Sequence, residues 1–310
     1  LKLAALVQCA IGIDVGGTKI AAGLVLTDGT ILQQKRIATQ AHLGGEYVLQ
    51  MVTELAEHFL QEAKVLHSHV SGIGVGVAEL VDAQGQVTSS QTIKWQNLDV
   101  QKHLSRLAPS KVESDVRAAA LAESLFGAGK GLEHFIYITV GTGISHTLVI
   151  NGKPLAGAHG NALVFASSPM TLWDEVGKKE YIPLENFSAG PALVRRYNQR
   201  TGKTLVQGQE VFEAAKRGDR EAVYVLESAA NNLGAGIGWL VNVFDPQAVV
   251  VGGGLGVAGG LYWEKLERSA REHIWSEQSR RVSMLKAALD VDGGLVGAAS
   301  LMFDNKFLAK

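Results

Sequence analysis

The chain has 310 residues, 46% hydrophobic and 19% charged, enough apolar material for a full core and a length that suggests about two domains. Its 29 Lys and Arg against 30 Asp and Glu leave a net charge of −1 and no basic tract for nucleic acid. A single cysteine, Cys9, excludes an intrachain disulfide and a multi-cysteine zinc site, and it suits a reducing, cytoplasmic setting.

The apolar start, Leu1–Ile13, has no small-residue cleavage site and reads as a leader into the first strand. Strands are expected at Ala10–Asp14, Ile20–Leu26 and Thr30–Ile37, the first two joined by the hairpin-length Val15-Gly-Gly-Thr-Lys19. Val48, Met51, Val52, Leu55, Phe59 and Leu60 recur at helical spacing within Tyr47–Leu66. Val70–Val77 is a buried strand carrying Gly72, Gly74 and Gly76. The second half repeats the scheme, with strands at Phe135–Val140 and Ile144–Ile150 around Gly141-Thr142-Gly143. Helices follow at Ala189–Thr201, Gln209–Arg217 and Arg220 to about Val243, then a strand at Ala248–Val251 and a helix over about Leu261–Ile274. This pseudo-duplication predicts an α/β chain of two similar lobes with a cleft between them. No apolar run reaches the ~20 residues of a membrane span.

Three glycine turns sit at strand ends. In Asp14-Val-Gly-Gly-Thr-Lys19, Gly16 and Gly17 let backbone N–H groups approach phosphate oxygens, while Thr18 and Lys19 add a hydroxyl and a cation. Asp14 is placed to hold Mg²⁺ through water. Gly141-Thr142-Gly143 and Gly252-Gly253-Gly254 offer two further surfaces for a nucleotide. Each taken singly is equally a plain hairpin or strand–helix turn.

Together these segments carry a resemblance. Ile13-Asp-Val-Gly-Gly-Thr-Lys-Ile20, Thr139-Val-Gly-Thr-Gly-Ile144, Val149-Ile-Asn-Gly-Lys-Pro-Leu155 and Val250-Val-Gly-Gly-Gly-Leu255, in that order from about Ile11 to Ala299, resemble the ROK family of repressors, open reading frames and sugar kinases. The resemblance implies a two-lobed actin-like (ribonuclease H-like) ATPase fold. The N-terminal lobe is expected over 1–116 with 297–310, and the C-terminal lobe over 117–296. It also implies phosphate transfer from ATP·Mg²⁺ to a sugar hydroxyl and a homodimer, while the balanced charge and the lack of a long apolar run lead to no nucleic-acid or membrane partner being expected. No room for a helix-turn-helix domain precedes Ile11, which favours the kinase branch.

Asp115, in Val112-Glu-Ser-Asp-Val-Arg117, matches the family's catalytic aspartate; a carboxylate there accepts the proton of the attacking hydroxyl. It is also a suitable N-cap for a helix over Val116–Leu125, and the two roles are compatible.

The acceptor side departs from the family pattern. Ser114 stands where the family has Asn. In the segment matching Gly-Glu-x-Gly-His, Val164 replaces the sugar-binding Glu and Ser167 the His, and Ala78-Glu79 replaces a Pro-Gly. Ser168–Leu184 contains no cysteine, so the family's zinc loop is absent and no zinc site is expected. Glu185 does match a family glutamate that contacts sugar. Glu79, Ser114, His159, Asn161, Val164, Ser167 and Glu185 are thus the candidate acceptor contacts, with His146 and His159 read as loop residues. Retained nucleotide motifs beside altered acceptor contacts favour a kinase for an unusual sugar or polyol, such as a cyclitol or modified sugar. An ordinary hexose or N-acetylhexosamine kinase, and a non-catalytic sugar or nucleotide sensor, are the alternatives.

Overall fold

In the computed structural model, residues 7–95, 98–162, 164–174 and 176–303 are described. The expected leader Leu1–Ile13 therefore lies partly outside the described residues.

The apolar runs flanking Gly16-Gly17 form the hairpin of β1 (Val7–Val15) and β2 (Lys19–Leu26), which β3 (Ile31–Ala38) extends antiparallel. Helix α1 (Gly45–Val65) turns its periodic stripe of Val48, Val52, Leu55 and Phe59 inward. The chain then returns as β4 (Ser68–Val77), parallel to β1. After α2 (Val100–Leu104), β5 (Ser110–Ser114) adds to the far side of β4 and runs directly into α3 (Asp115–Phe126). The sheet order is β3-β2-β1-β4-β5. Ile11, Ile13, Ile20, Leu24, Ile73 and Val75 on its strands pack with α1 in one core.

The remaining elements are β6 (His134–Val140), β7 (Ile144–Ile150), β8 (Lys153–Pro154), β9 (Pro169–Trp173), β10 (Lys179–Pro183), α4 (Glu185–Ser188), α5 (Gly190–Thr201), α6 (Gly208–Lys216), α7 (Arg220–Phe244), β11 (Ala248–Gly252), α8 (Gly260–His273), β12 (Ser283–Lys286) and α9 (Gly293–Ser300). Strands run in the order β12-β11-β6-β7, with β11 parallel to both neighbours and β7 antiparallel to β6. Helix α7 buries Leu226, Leu233, Ile237 and Leu240, and Gly234 and Gly238 let α8 lie against it: a Cβ at Gly234 would be 2.4 Å from the Leu266 carbonyl oxygen.

Two compact units result. One is built from the chain up to Gly131, Gly152–Ala162 and the segment from Val291; the other comprises Leu132–Asn151 and the stretch from Leu163 to Asp290. This differs from a division at residue 116. Helix α3 stays with the first unit because α9 packs against it, closely enough that a Cβ at Gly297 would stand 1.8 Å from the Ala118 carbonyl oxygen. Two further differences concern segments with no expected structure. Gly293-Gly294 opens helix α9, and Ser168–Leu184 contains the antiparallel hairpin β9–β10.

Candidate active site

Asp14 lies next to last in β1. Sheet register places Arg36, Ala21, Asp14 and Gly76 in one row across four strands, so Asp14 and Arg36 share a face. Gly76 leaves the space that Asp14 and Asp115 border: a Cβ there would be 3.7 Å from Asp14 Oδ1 and 3.6 Å from Asp115 Cα. Gly294, in the first turn of α9, is required by the other side of the Asp14 carboxylate, since its Cβ would fall 2.5 Å from Asp14 Cγ. Burial pushes Asp14 up to about 7, the Asp115 charge adds to the rise, and Arg36 opposes it.

Asp115 begins α3 where β5 ends. Its Oδ1 accepts the Val116 N–H at 2.7 Å, so it serves its own helix's first turn. Burial pushes it up to about 6; the Val116 N–H opposes the shift, the Glu79 charge reinforces it and the Arg117 guanidinium opposes it. Ser114, immediately before, is buried, and its hydroxyl has no hydrogen-bond partner among the described residues. Arg117 is buried two residues further on. It donates to Glu113, to the Val81 carbonyl at 2.5 Å and to the Gly160 carbonyl at 2.7 Å. That last bond ties the loop carrying exposed His159 and Asn161 to the helix that carries Asp115.

The Gly16-Gly17 turn is closed by Gly16 N–H donating to the Lys19 carbonyl at 3.0 Å and by the Thr39 hydroxyl donating to the Gly16 carbonyl at 2.6 Å. Thr18 and Lys19 are exposed beside it. Glu79 is placed differently from its expected role as an acceptor contact. Both its oxygens are engaged internally, accepting from the Ser89 hydroxyl and from the N–H groups of Gln91, Thr92 and Ile93.

In the second unit, Gly141–Gly143 joins β6 to β7. Gly190 N–H, opening α5, donates to the Gly141 carbonyl at 2.8 Å, and Glu185 Oε2 accepts the Ile144 N–H at 2.8 Å. Glu185 thus lies against the turn it follows by some 40 residues. Gly252–Gly254 closes on the same strand end. Gly253 adopts φ +79, which glycine alone takes without cost, and a Cβ there would meet the Val140 carbonyl at 2.5 Å. The acceptor-side segment is adjacent, because Glu185 N–H donates to the Ala166 carbonyl at 3.0 Å; Val164 and Ser167 are both exposed. His146 is not a loop residue. It lies in β7, buried edge-on against Phe165 with ring centroids 4.9 Å apart, and burial lowers it to about 4, which keeps it neutral.

Within the first unit the fold therefore gathers Asp14, Gly16, Gly17, Ser114 and Asp115. Within the second it gathers Gly141–Gly143, Gly252–Gly254 and Glu185. Sequence reasoning missed Arg117, Gly190 and Gly294. An arginine inside an alanine-rich helix, and glycines at helix starts, were the available signals.

The sequence matches the profile of the ROK family over residues 10–305. A glucokinase of Streptomyces coelicolor is 32% identical over 94% of this chain and 96% of its own length. The chain belongs to the ROK family. Among solved structures, the ROK family glucokinase of Streptomyces griseus, in complex with glucose and AMPPNP, superposes with a TM-score of 0.81 at 31% identity over 94% of this chain and 98% of its own. The ROK family also contains regulators, and a putative xylose repressor of Caldicellulosiruptor is 27% identical over 95% of this chain and 78% of its own length. With two mixed sheets, the fold is the α/β actin-like ATPase fold of the ROK sugar kinases.

Proposed function

We propose that this ROK protein is a sugar kinase transferring the γ-phosphate of ATP to a hydroxyl of a sugar or sugar-like polyol. The observation that carries the reading is the pair of carboxylates, Asp14 and Asp115, held beside Gly76 at the strand ends and both raised by burial. A base poised near neutrality suits proton removal from a weakly acidic hydroxyl. Asp115 takes that proton as the bond to phosphorus forms, and Arg117 fixes the helix end from which Asp115 projects. The Gly16-Gly17 turn with Thr18 and Lys19 binds phosphate in one unit, and Gly141–Gly143 with Gly252–Gly254 binds nucleotide in the other.

The donor set fits Mg²⁺. Asp14 would hold the ion through water, since its carboxylate borders the space that Gly76 leaves open beside Asp115 and most of the ion's ligands would come from phosphates and water. Bound Mg²⁺ would neutralise charge on the transferred phosphoryl group. Asp14 would orient its water shell.

The acceptor is an unusual one. Val164 offers no hydrogen bond and Ser167 only a short one, where sugar recognition by Glu and His is implied by the family resemblance. The unpartnered Ser114 hydroxyl beside Asp115 supplies a polar contact in their place. A homodimer is supported by exposed large apolar side chains in the second unit. Tyr224, Trp239 and Val243 on α7, Trp173 on β9 and Trp275 after α8 are each 46–88% exposed.

A coupled assay of ADP release across hexoses, N-acetylhexosamines and cyclitols, with Asp115→Asn as control, tests the activity. The repressor relatives favour a second reading, a sugar sensor; ligand binding without acceptor-dependent ADP release would select it. Sedimentation of the wild type and Trp239→Glu tests the dimer, which requires a dimeric wild type and a monomeric variant.

A further inference from the structure

Glu79 is 7% exposed, and its charge is met by one short stretch of chain. Oε1 accepts the N–H of Thr92 at 2.6 Å and of Ile93 at 2.9 Å; Oε2 accepts the N–H of Gln91 at 3.0 Å and the Ser89 hydroxyl. Ser89 Oγ in turn accepts the Leu80 N–H at 2.8 Å, so residues 79 and 80 grip the same serine. Four donors within five residues wrap one carboxylate. The chain at 89–93 belongs to no helix or strand, and Gln91 and Thr92 are exposed. Its conformation is therefore set by the buried charge at its back.

The other side of this loop meets the Gly16-Gly17 turn. A Cβ built on Gly17 would stand 2.5 Å from Thr92 Cγ2, so the Thr92 methyl occupies the space a side chain would fill. The turn thus has two supports: the Thr39 hydroxyl on the Gly16 carbonyl, and Thr92 packed on Gly17. Paired glycines have the greatest conformational freedom of any residues, and backbone N–H groups bind an anion well only if their directions are fixed beforehand. We infer that Glu79 is a positioning residue for nucleotide binding: it clamps Ser89–Ile93 so that Thr92 seats on Gly17 and fixes the phosphate turn. The inference rests on the proposed role of that turn.

Hydrogen exchange of the nucleotide-free full chain, together with equilibrium binding of a non-hydrolysable ATP analogue without acceptor, tests it. In Glu79→Gln the amide NH₂ opposes donors that the carboxylate accepted. Exchange of the 91–93 amides should rise about 10- to 100-fold. The analogue should bind about fivefold or more weakly. Thr92→Ser removes the methyl on Gly17 and leaves the carboxylate bonds, so it should weaken nucleotide binding while 91–93 stay protected. It also keeps the test alive if Glu79→Gln fails to fold. Glu79→Asp, retaining charge on a shorter stem, should recover part of both signals. Unchanged exchange in Glu79→Gln overturns the clamp. Unchanged nucleotide affinity in Thr92→Ser overturns the link to the turn. A wild type that binds no analogue overturns the proposed function and the nucleotide half of this inference with it, while exchange still judges the clamp.

Discussion

Replacing Asp115 by Asn should make the protein slower and more stable at once. The substitution keeps size and the oxygen that accepts the Val116 N–H at 2.7 Å, so the start of α3 is retained. It removes a buried charge whose ionisation is disfavoured, from an ordinary value of 3.8 up to about 6. The carboxyl is raised in the folded state, so wild-type stability is highest below the unfolded value near 3.8. It is then lost as pH rises through about 6. At pH 8 the full cost is on the order of 2–3 kcal/mol, which Asn relieves. At pH 4 and below the gain should vanish. Turnover falls in the same variant by ~10²–10⁴, the usual contribution of a general base, with nucleotide affinity nearly intact. Urea unfolding at pH 8 and pH 4 in chelator-treated buffer measures the first effect, and ADP release at saturating acceptor the second. An Asp115→Asn variant less stable than wild type at pH 8, or one retaining more than about a tenth of kcat, would refute the reasoning.

The wild-type kcat/KM should rise with pH through an apparent value near 6, as the carboxyl beside Glu79 ionises; a flat profile from pH 5 to 7.5 would exclude Asp115 as the titrating base. Arg117→Met should cost about 3–5 kcal/mol in urea unfolding, because it removes the cation from Glu113 and leaves the buried carbonyls of Val81 and Gly160 without their donor. Gly253→Ala should weaken ATP-analogue binding and lower stability by ~1–3 kcal/mol, since φ +79 and the Val140 carbonyl 2.5 Å from the new Cβ both oppose a side chain. Val164→Glu with Ser167→His should raise kcat/KM on glucose relative to wild type by ~10–100-fold per recovered hydrogen bond. A wild type already at ~10⁴ M⁻¹s⁻¹ or better on glucose would refute an unusual acceptor pocket.

The strands and helices around the glycine turns were legible because their signals are local. Glycine doublets mark the ends of β1 and β11, and the spacing of Val48, Val52, Leu55 and Phe59 marks the inner face of α1. What the sequence concealed depends on partners distant in the chain. The bonds to Glu79 come from residues 10–14 positions away and mostly from backbone N–H groups, which carry no residue signature. A glutamate read alone looks like a ligand contact. His146 looks like a loop residue because it is polar, yet strand β7 buries it against Phe165. The hairpin β9–β10 has five residues per strand, too few for the alternation of Met170, Leu172 and Ile182 to stand out. Gly293-Gly294 reads as a turn until Asp14 is seen to need the space.

Helix α9 gives the molecule a timetable. A Cβ at Gly12 would stand 2.1 Å from the Leu295 carbonyl oxygen, and one at Gly74 would stand 1.7 Å from that of Ala298, so two strands near the start of the chain are shaped to receive a helix near its far end. Until that helix emerges, β1 and β4 present a bare apolar face, and Asp14 lacks the Gly294 backbone beside it. At a synthesis rate of ~5–20 residues per second, the gap between residues 12 and 293 lasts roughly 15–60 s. In the second unit the wait is shorter, β6 needing only the stretch from residue 140 to 248 before its partner β11 is made. On the ribosome the unit that begins first should close after the other, and the carboxylates should meet their final surroundings only once α9 has emerged.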